Sequence, residues 1–282
     1  MKTYYLELVG LRMALNTPDE ITISENLRPF LTAPQEQTDC VITLQSCAAL
    51  PDFSRDGVWH GAEYYDTRPQ VSRIFHCDTT DKTPFALTEL FEDGNIEIRV
   101  LPRRLAWFAG SEGIFNRIGM ETLLLQHAGL LLHASLIKYG HSAIAFTGPS
   151  GIGKSTQAAL WERILGAELI NGDRAALRFT PSGWIAYGSP YAGTSGVYKN
   201  ENAKLAAIVV LRQAEENRLR RLTGAESFSH IYAQFSVHRW DKTFVAKATD
   251  LCLQMLADVP VYLLECRPDE DAVWLTKEGL NL

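Results

Sequence analysis

One stretch of the chain has the residue types and spacing of a phosphate-binding loop. Residues Gly148 to Ser155 read Gly-Pro-Ser-Gly-Ile-Gly-Lys-Ser, a complete Gly-x-x-x-x-Gly-Lys-Ser (Walker A) pattern. The apolar run Ala143 to Phe146 predicts a buried strand before the loop, and Gln157 to Leu165 predicts an amphipathic helix after it. In that setting, glycines allow backbone N–H groups to surround phosphate oxygens at a helix N-terminus. The alternative is a glycine-rich turn before an ordinary helix.

Each loop residue has an expected role in holding a nucleoside triphosphate. We predict that Lys154 contacts the β- and γ-phosphates and that the hydroxyl of Ser155 is a ligand of Mg²⁺. The predicted nucleotide-binding residues are Gly148, Pro149, Ser150, Gly151, Ile152, Gly153, Lys154, Ser155 and Thr156. The loop therefore predicts binding of a nucleoside triphosphate together with Mg²⁺.

An aspartate follows the loop at the distance expected for one helix, a turn and the next strand. Asp173 comes nineteen residues after Lys154, at the end of a short apolar run. A carboxylate there could face the phosphates, hold Mg²⁺, or accept a proton from an attacking hydroxyl. The alternative is an aspartate in a surface turn before a hairpin with strands Ala175–Phe179 and Trp184–Tyr187. We favour the site, because a phosphate loop requires an acidic partner.

A histidine stands in the apolar run that precedes the loop strand. The strand containing His133 can lie beside the strand that leads to Asp173. A neutral imidazole there could orient the aspartate or accept a proton itself. The alternative is a hydrogen-bonded histidine of the core, which is the commoner role of a lone histidine among apolar residues.

Together these segments resemble the HPr kinase/phosphorylase family. The resemblance is carried by His133, by the loop Gly148 to Ser155, and by Gly172-Asp173-Arg174 where the family has Asp-Asp-Arg. It is specific over residues 130–180 and fades elsewhere. It implies ATP-dependent phosphorylation of a serine in a protein or peptide, and a nucleotide domain like that of phosphoenolpyruvate carboxykinase.

The resemblance also implies roles for individual residues. Asp173, Lys154 and His133 would be catalytic, and Ser155 and Asp173 would hold the metal. In the family the paired acids share metal binding and proton transfer. Because Gly172 replaces the first of them, Asp173 must perform both tasks or share them with another group, of which His133 is the candidate.

The leading hypothesis is an ATP-dependent kinase that transfers the γ-phosphate to a hydroxyl, with a serine of a protein or peptide as the acceptor. One alternative is a kinase for small hydroxyl compounds. Another is a regulatory module that binds ATP without transferring phosphate, and the glycine at position 172 keeps this alternative open. The resemblance suggests a homo-oligomer, although no segment defines an interface.

Composition excludes several other classes of protein. The 282 residues carry a net charge of −6 and are 46% hydrophobic, which gives no electrostatic case for a nucleic acid or an anionic membrane as partner. No stretch approaches the 18 or so apolar residues that a membrane helix needs. The five cysteines lack a Cys-x-x-Cys spacing and are expected to be reduced thiols, so we predict a cytoplasmic protein.

The pattern of elements predicts an α/β fold. Residues 1–105 alternate like short strands and predict a mostly β N-terminal region, and Ser111–Gln126 predicts a helix. Residues 106–282 are predicted to form a P-loop ATP-binding kinase domain with a mixed-sheet core, of phosphoenolpyruvate carboxykinase type by the resemblance.

Two connecting segments are candidates for further contacts. The glycine-rich Gly188–Lys204 segment is long for a connector, so we predict a lid on the substrate side, with Thr194, Ser195 and Lys199 as contacts. A mobile surface loop is the alternative. The His238–Lys242 segment could bind an anion, but a capped turn between helices is the favoured interpretation.

Overall fold

A computed structural model describes residues 1–68 and 71–282 of the chain. The described chain divides into two compact units, Met1–Gln126 and His127–Leu282, which we call the N-terminal and C-terminal units. Each combines a mixed β-sheet with helices, so the α/β class is confirmed. Among the helices in these residues, none is long and apolar enough to cross a membrane.

The N-terminal unit is built on one mixed sheet. Its strands are β1 (Lys2–Leu8), β2 (Leu11–Thr17), β3 (Leu31–Thr32), β4 (Cys40–Ser46), β5 (Val58–His60), β6 (Glu63–Arg68), β7 (Val71–Cys77), β8 (Pro84–Phe91) and β9 (Ile96–Val100). Over the residues described, their order is β3-β1-β2-β4-β9-β8-β7-β6-β5. Strand β4 pairs in parallel with β2 and β9, and the other pairs are antiparallel. Short 3₁₀ turns occupy Arg28–Phe30 and Pro102–Phe108.

The helix predicted over Ser111–Gln126 is wrong as a single element, because it is broken into α1 (Ser111–Phe115) and α2 (Met120–Gln126). Gly119 lies at the break with a φ of +67°, and a Cβ there would come within 2.9 Å of the Ile74 side chain. The positive φ interrupts the helical path directly before α2, and glycine adopts this conformation with the least strain. Residues 106–126 belong to the compact N-terminal unit, whereas we predicted from the sequence that they are part of the kinase domain.

The C-terminal unit alternates strands and helices. Its strands are β10 (Gly129–Tyr139), β11 (Ser142–Thr147), β12 (Glu168–Asn171), β13 (Arg174–Thr180), β14 (Gly183–Tyr187), β15 (Asn202–Gln213), β16 (Arg218–Leu222) and β17 (Val261–Cys266). Its helices are α3 (Lys154–Leu165), α4 (Gly224–Tyr232), α5 (Lys242–Asp258) and α6 (Glu270–Gly279), with a 3₁₀ turn at Gly193–Ser195.

Strand β10 organises this sheet, because it is long enough to pair with different strands along its length. Its first half pairs with β13, and its second half pairs with β11 on one edge and β12 on the other. Strand β11 also pairs in parallel with β15, and β15 continues through β14 to β13. The pairings of β10, β11, β15, β14 and β13 therefore close into a ring, beyond which β17 and β16 extend from β15.

A buried apolar layer fixes α3 against the sheet. Trp161 of α3 is fully buried, with its ring centroid 6.0 Å from that of Phe146 in β11. Ile144 and Val209 of the sheet and Leu264 of β17 complete the contact. Burying side chains of this size stabilises the fold by roughly 1.5–3 kcal/mol each. The helix is thereby held with its N-terminus at the end of β11.

Most of the predicted elements of this unit are confirmed. The predicted hairpin appears as β13 and β14, which are closed by the pair Thr180 and Gly183. Helix α4 ends at Tyr232. The chain turns there because Phe235 forms a bridge with Leu132 of β10. This bridge fastens the segment after α4 to the strand that contains His133.

Candidate active site

The segment Gly148 to Ser155, which the sequence predicts to bind phosphate, connects the end of β11 to the start of α3. Gly148, Gly151 and Gly153 have φ values of +142°, +78° and +113°, which residues with a Cβ seldom adopt. A Cβ on Gly148 would also meet Ile152 at 3.2 Å and the Leu211 carbonyl oxygen at 3.4 Å. The glycines of the motif are therefore required by the backbone path of the loop.

The first turn of α3 offers hydrogen-bond donors to an anion. Gly153 is the N-cap residue and has no side chain with which to cap the helix. The N–H groups of Lys154, Ser155 and Thr156 have no carbonyl one turn earlier within the helix. A Cβ on Gly151 or Gly153 would meet no atom within 4 Å, so the rim of the loop is open. The loop therefore fits the phosphates of a nucleotide, because it combines free donors, the positive end of a helix and open space.

Lys154 is folded back onto this loop. Its Nζ donates to the carbonyl oxygens of Gly148 and Pro149 at 3.0 and 3.1 Å, and the residue is 8% exposed. Burial lowers the pKa of Lys154, while the charge of Asp173 opposes the shift. The Lys154 ammonium and the Asp173 carboxylate are therefore close enough to interact electrostatically.

Asp173 stands in a tight turn between β12 and β13. The side-chain Oδ1 of Asn171 accepts hydrogen bonds from the N–H groups of Asp173 at 3.0 Å and Arg174 at 2.7 Å. The Asp173 carbonyl oxygen accepts a hydrogen bond from the N–H of Ala134 in β10 at 3.0 Å. The turn is thus tied to the sheet by its backbone, and the carboxylate is left half-buried.

His133 is brought next to Asp173, as the order of strands predicts. Its Nε2 lies 3.6 Å from Asp173 Oδ1, and His133 pairs with Arg174 in the register of β10 and β13. The backbone of His133 is bonded on both sides: its N–H donates to Gln234, and its carbonyl accepts from Thr147 Oγ1 at 2.8 Å. These contacts hold the imidazole between the end of the loop strand and the aspartate.

The environment favours the neutral imidazole of His133. Burial lowers its pKa, and the cations of Lys154 and Arg174 lower it further, while Asp173 raises it. Because the net shift is downward from the ordinary value near 6.5, His133 is mostly uncharged at neutral pH. A neutral ring can accept or donate a hydrogen bond beside Asp173.

Position 172 is closed to larger side chains by the neighbouring loop. A Cβ on Gly172 would lie 2.0 Å from Ser195 Oγ and 2.4 Å from Ser195 Cβ. The Ser195 hydroxyl is itself held, since it donates to the Ala192 carbonyl oxygen at 2.7 Å and accepts from Val197 N–H at 3.2 Å. Asp173 is therefore the carboxylate that this turn presents beside His133.

The structure brings only some of the predicted contact residues of the Gly188–Lys204 segment to the candidate site. Ser195 lies against the Asp173 turn, as described above. Lys199 does not face the phosphate loop, because its Nζ is paired with Glu168 Oε1 at 2.9 Å. The side chain of Thr194 lies outside the described residues.

The His238–Lys242 segment is a capped turn. The side chain of Asp241 accepts hydrogen bonds from the N–H groups of Thr243 and Phe244 at the start of α5. Trp240 stacks on His238 with ring centroids 5.0 Å apart. These contacts match the interpretation favoured from the sequence and give no reason to assign an anion to the segment.

The donors present also fit Mg²⁺. No group of three or more His, Cys, Asp or Glu residues able to hold a metal is found within residues 1–68 and 71–282. Mg²⁺ commonly takes one or two carboxylates and completes its six ligands with phosphate oxygens and water. Asp173 and the exposed Ser155 at the start of α3 are a donor set of that kind.

Asn171 and Ser189 hold this site together, and neither residue was predicted from the sequence. Asn171 Nδ2 donates to the Ser189 carbonyl oxygen at 3.0 Å, and Ser189 Oγ donates to the Arg174 carbonyl oxygen at 2.7 Å. A signal for the first was present, because an asparagine two residues before the aspartate is typical of a turn closed by its own side chain.

Comparison with known proteins gives a distant similarity. No protein-family model and no curated protein matches the chain. One solved structure that matches is that of the Hpr(Ser) kinase/phosphatase from Coxiella burnetii, with 15% identity and a TM-score of 0.33. The match covers 54% of this chain and 88% of that one. A similarity this distant assigns no family to the chain.

Replacing Gly172 with aspartate tests whether this position is closed. We expect Gly172→Asp to lower the free energy of unfolding by about 1–3 kcal/mol, because the new Cβ overlaps Ser195. Gly172→Asp/Ser195→Gly should recover most of that loss, since the second change removes the overlapping atoms. Urea unfolding of both single variants and the double variant gives the coupling between the two positions. A Gly172→Asp protein as stable as the wild type would contradict the steric account.

Proposed function

We propose that this protein is an ATP-dependent kinase that transfers the γ-phosphate of ATP to a hydroxyl group. The observation that carries the proposal is the convergence of a phosphate loop with a neighbouring acid and base. Lys154 of the loop interacts electrostatically with both Asp173 and His133, and the latter two lie 3.6 Å apart. A glycine-rich turn without catalytic function would not require these side chains at its edge.

The residues of the loop would bind and orient the triphosphate. The N–H groups at the start of α3 would donate to phosphate oxygens, and Lys154 would add a positive charge at the same place. Bound Mg²⁺, held by Ser155 and Asp173, would neutralise negative charge on the phosphates. Positioning and neutralisation of charge are the main sources of acceleration in phosphoryl transfer.

Asp173 is the proposed base. Its carboxylate would accept the proton of the acceptor hydroxyl, and the neutral His133 beside it would orient that carboxylate. Position 172 has no room for a second acid, so Asp173 carries both metal binding and proton transfer in this proposal.

The proposed acceptor is a serine of a protein or peptide. This part of the proposal is supported by the resemblance of the motifs around His133, the loop and Asp173-Arg174. The same chemistry would serve a small hydroxyl compound. A module that binds ATP without transferring phosphate is the remaining alternative, and the glycine at position 172 is the observation in its favour.

The role of Asp173 is tested by Asp173→Asn, which keeps the shape of the side chain and removes its charge. We expect turnover to fall at least about a hundredfold, because the variant loses both the base and a metal ligand. Binding of ATP measured without Mg²⁺ should change little. Asp271→Asn is a matched control, because that carboxylate on α6 is 82% exposed. Near-normal turnover in Asp173→Asn would assign the base to another group.

The acceptor is tested by a screen read out by intact mass. Polypeptides encoded beside this protein, free serine and small hydroxyl compounds would each be incubated with the protein, ATP and Mg²⁺. We expect a polypeptide to gain the mass of one phosphate on serine, with ATP consumed in step. Modification of small compounds alone would favour the alternative kinase. Tight ATP binding with no acceptor modified would contradict the kinase proposal in favour of a binding module.

A further inference from the structure

The side chain of Asn171 occupies a central place beneath the proposed base. Asn171 is the last residue of β12 and is fully buried. Its Oδ1 accepts two hydrogen bonds, from the N–H groups of Asp173 and Arg174. This end of the amide fixes the turn from which the Asp173 carboxylate projects.

The other end of the same amide holds the loop that follows β14. Asn171 Nδ2 donates to the carbonyl oxygens of Ser189 at 3.0 Å and Tyr191 at 3.1 Å, and it lies 3.3 Å from Ser189 Oγ. Ser189 is also buried, and its hydroxyl bonds back to the Arg174 carbonyl oxygen at 2.7 Å. A single side chain therefore joins the Asp173 turn and the loop.

The joined loop lies directly on Asp173. Gly193 approaches so closely that a Cβ on it would be 2.7 Å from both Cβ and Cγ of Asp173, and its φ is +54°. Farther along, Lys199 N–H donates to the Ile170 carbonyl oxygen of β12 at 3.1 Å, and Tyr198 forms a bridge with Asn171. These bonds fasten both ends of residues 189–199 to β12 and the Asp173 turn.

We infer that Asn171 is a positioning residue whose amide holds residues 189–199 as a fixed wall over Asp173. This inference rests on the proposed function where it concerns the base, but the fixing of the loop is independent of it. An amide suits the position because it accepts with one atom and donates with the other. A carboxylate would keep the two bonds to the turn but would place an oxygen against the carbonyls of Ser189 and Tyr191. The segment predicted from sequence as an opening lid is, in this inference, a wall past which the acceptor must enter.

Three variants test separately the hydrogen bonds made by the two ends of the Asn171 amide. Asn171→Asp keeps the bonds to the turn and loses those to the loop, whereas Asn171→Ala loses both. Ser189→Ala weakens the loop side without adding charge. Thr276→Val is a matched control, because Thr276 is fully buried in α6 and its hydroxyl donates to the Ala272 carbonyl oxygen at 2.7 Å.

The first measurement is hydrogen exchange of the whole protein without nucleotide. Amides in residues 189–199 should exchange at least about tenfold faster in Asn171→Asp and Ser189→Ala than in the wild type, because opening of the loop becomes easier. In Asn171→Ala, the amides of Asp173 and Arg174 should lose protection as well. Thr276→Val should leave both regions unchanged.

The second measurement separates kcat from KM for phosphate transfer. We expect Asn171→Asp and Ser189→Ala to lower kcat about tenfold or more, because misplacing the base is costly. The KM for ATP should stay near the wild-type value, since the phosphate loop is untouched.

The results that would contradict the inference differ from those that would contradict the proposed function. Loop exchange equal to that of Thr276→Val in both Asn171→Asp and Ser189→Ala would overturn the inference, and so would faster exchange with unchanged kcat. If the wild type transferred phosphate to no acceptor, the proposed function would fail. Hydrogen exchange would still decide whether Asn171 fixes the loop.

Discussion

The geometry of the candidate site depends on the pairing of β10 with a different strand on each of its edges. On one edge, Ala134 is the partner of Thr147, the last residue before the phosphate loop. On the other edge, the N–H of the same residue donates to the carbonyl oxygen of Asp173. The loop and the aspartate turn are thus separated by one strand, a span of about 10 Å for two steps across a sheet. The sheet, rather than any contact between side chains, sets this distance.

The position of His133 is set by the same strand pairing. It is the neighbour of Ala134 in β10, so its side chain lies on the opposite face of the strand at the same level. Its surroundings combine burial and two cations, which lower its pKa, with one anion that opposes them. The result is an uncharged ring beside a charged carboxylate, which is a suitable arrangement for orienting a base.

The loop over Asp173 explains why the turn carries a single acid. Gly172 and Gly193 both lack a Cβ atom. The Asp173 turn and the loop of residues 189–199 can therefore pack directly against each other. A second carboxylate at position 172 and a loop packed this closely exclude one another. The glycine at position 172 is therefore coupled to the conformation of a segment more than fifteen residues away in sequence.

Local patterns predicted much of the C-terminal unit. The loop glycines, the strand before them, the helix after them and the hairpin of β13 and β14 follow from short-range residue preferences. The proximity of His133 to Asp173 was predicted from strand order and is confirmed by their distance of 3.6 Å. The break at Gly119 was not predicted, because it depends on packing against residues distant in sequence. The pairing of Lys199 with Glu168 and the two-sided role of Asn171 were missed for the same reason.

The central claim is that the loop from Gly148 to Ser155 binds the phosphates of ATP through Lys154. Calorimetric titration of ATP into the wild type and Lys154→Ala tests it most directly, with Lys247→Ala as a control at an exposed lysine of α5. Loss of a charge-assisted contact should weaken binding roughly tenfold to a hundredfold, with the circular dichroism spectrum unchanged and Lys247→Ala binding normally. Equal affinity in the wild type and Lys154→Ala, or no binding by the folded wild type, would contradict the account.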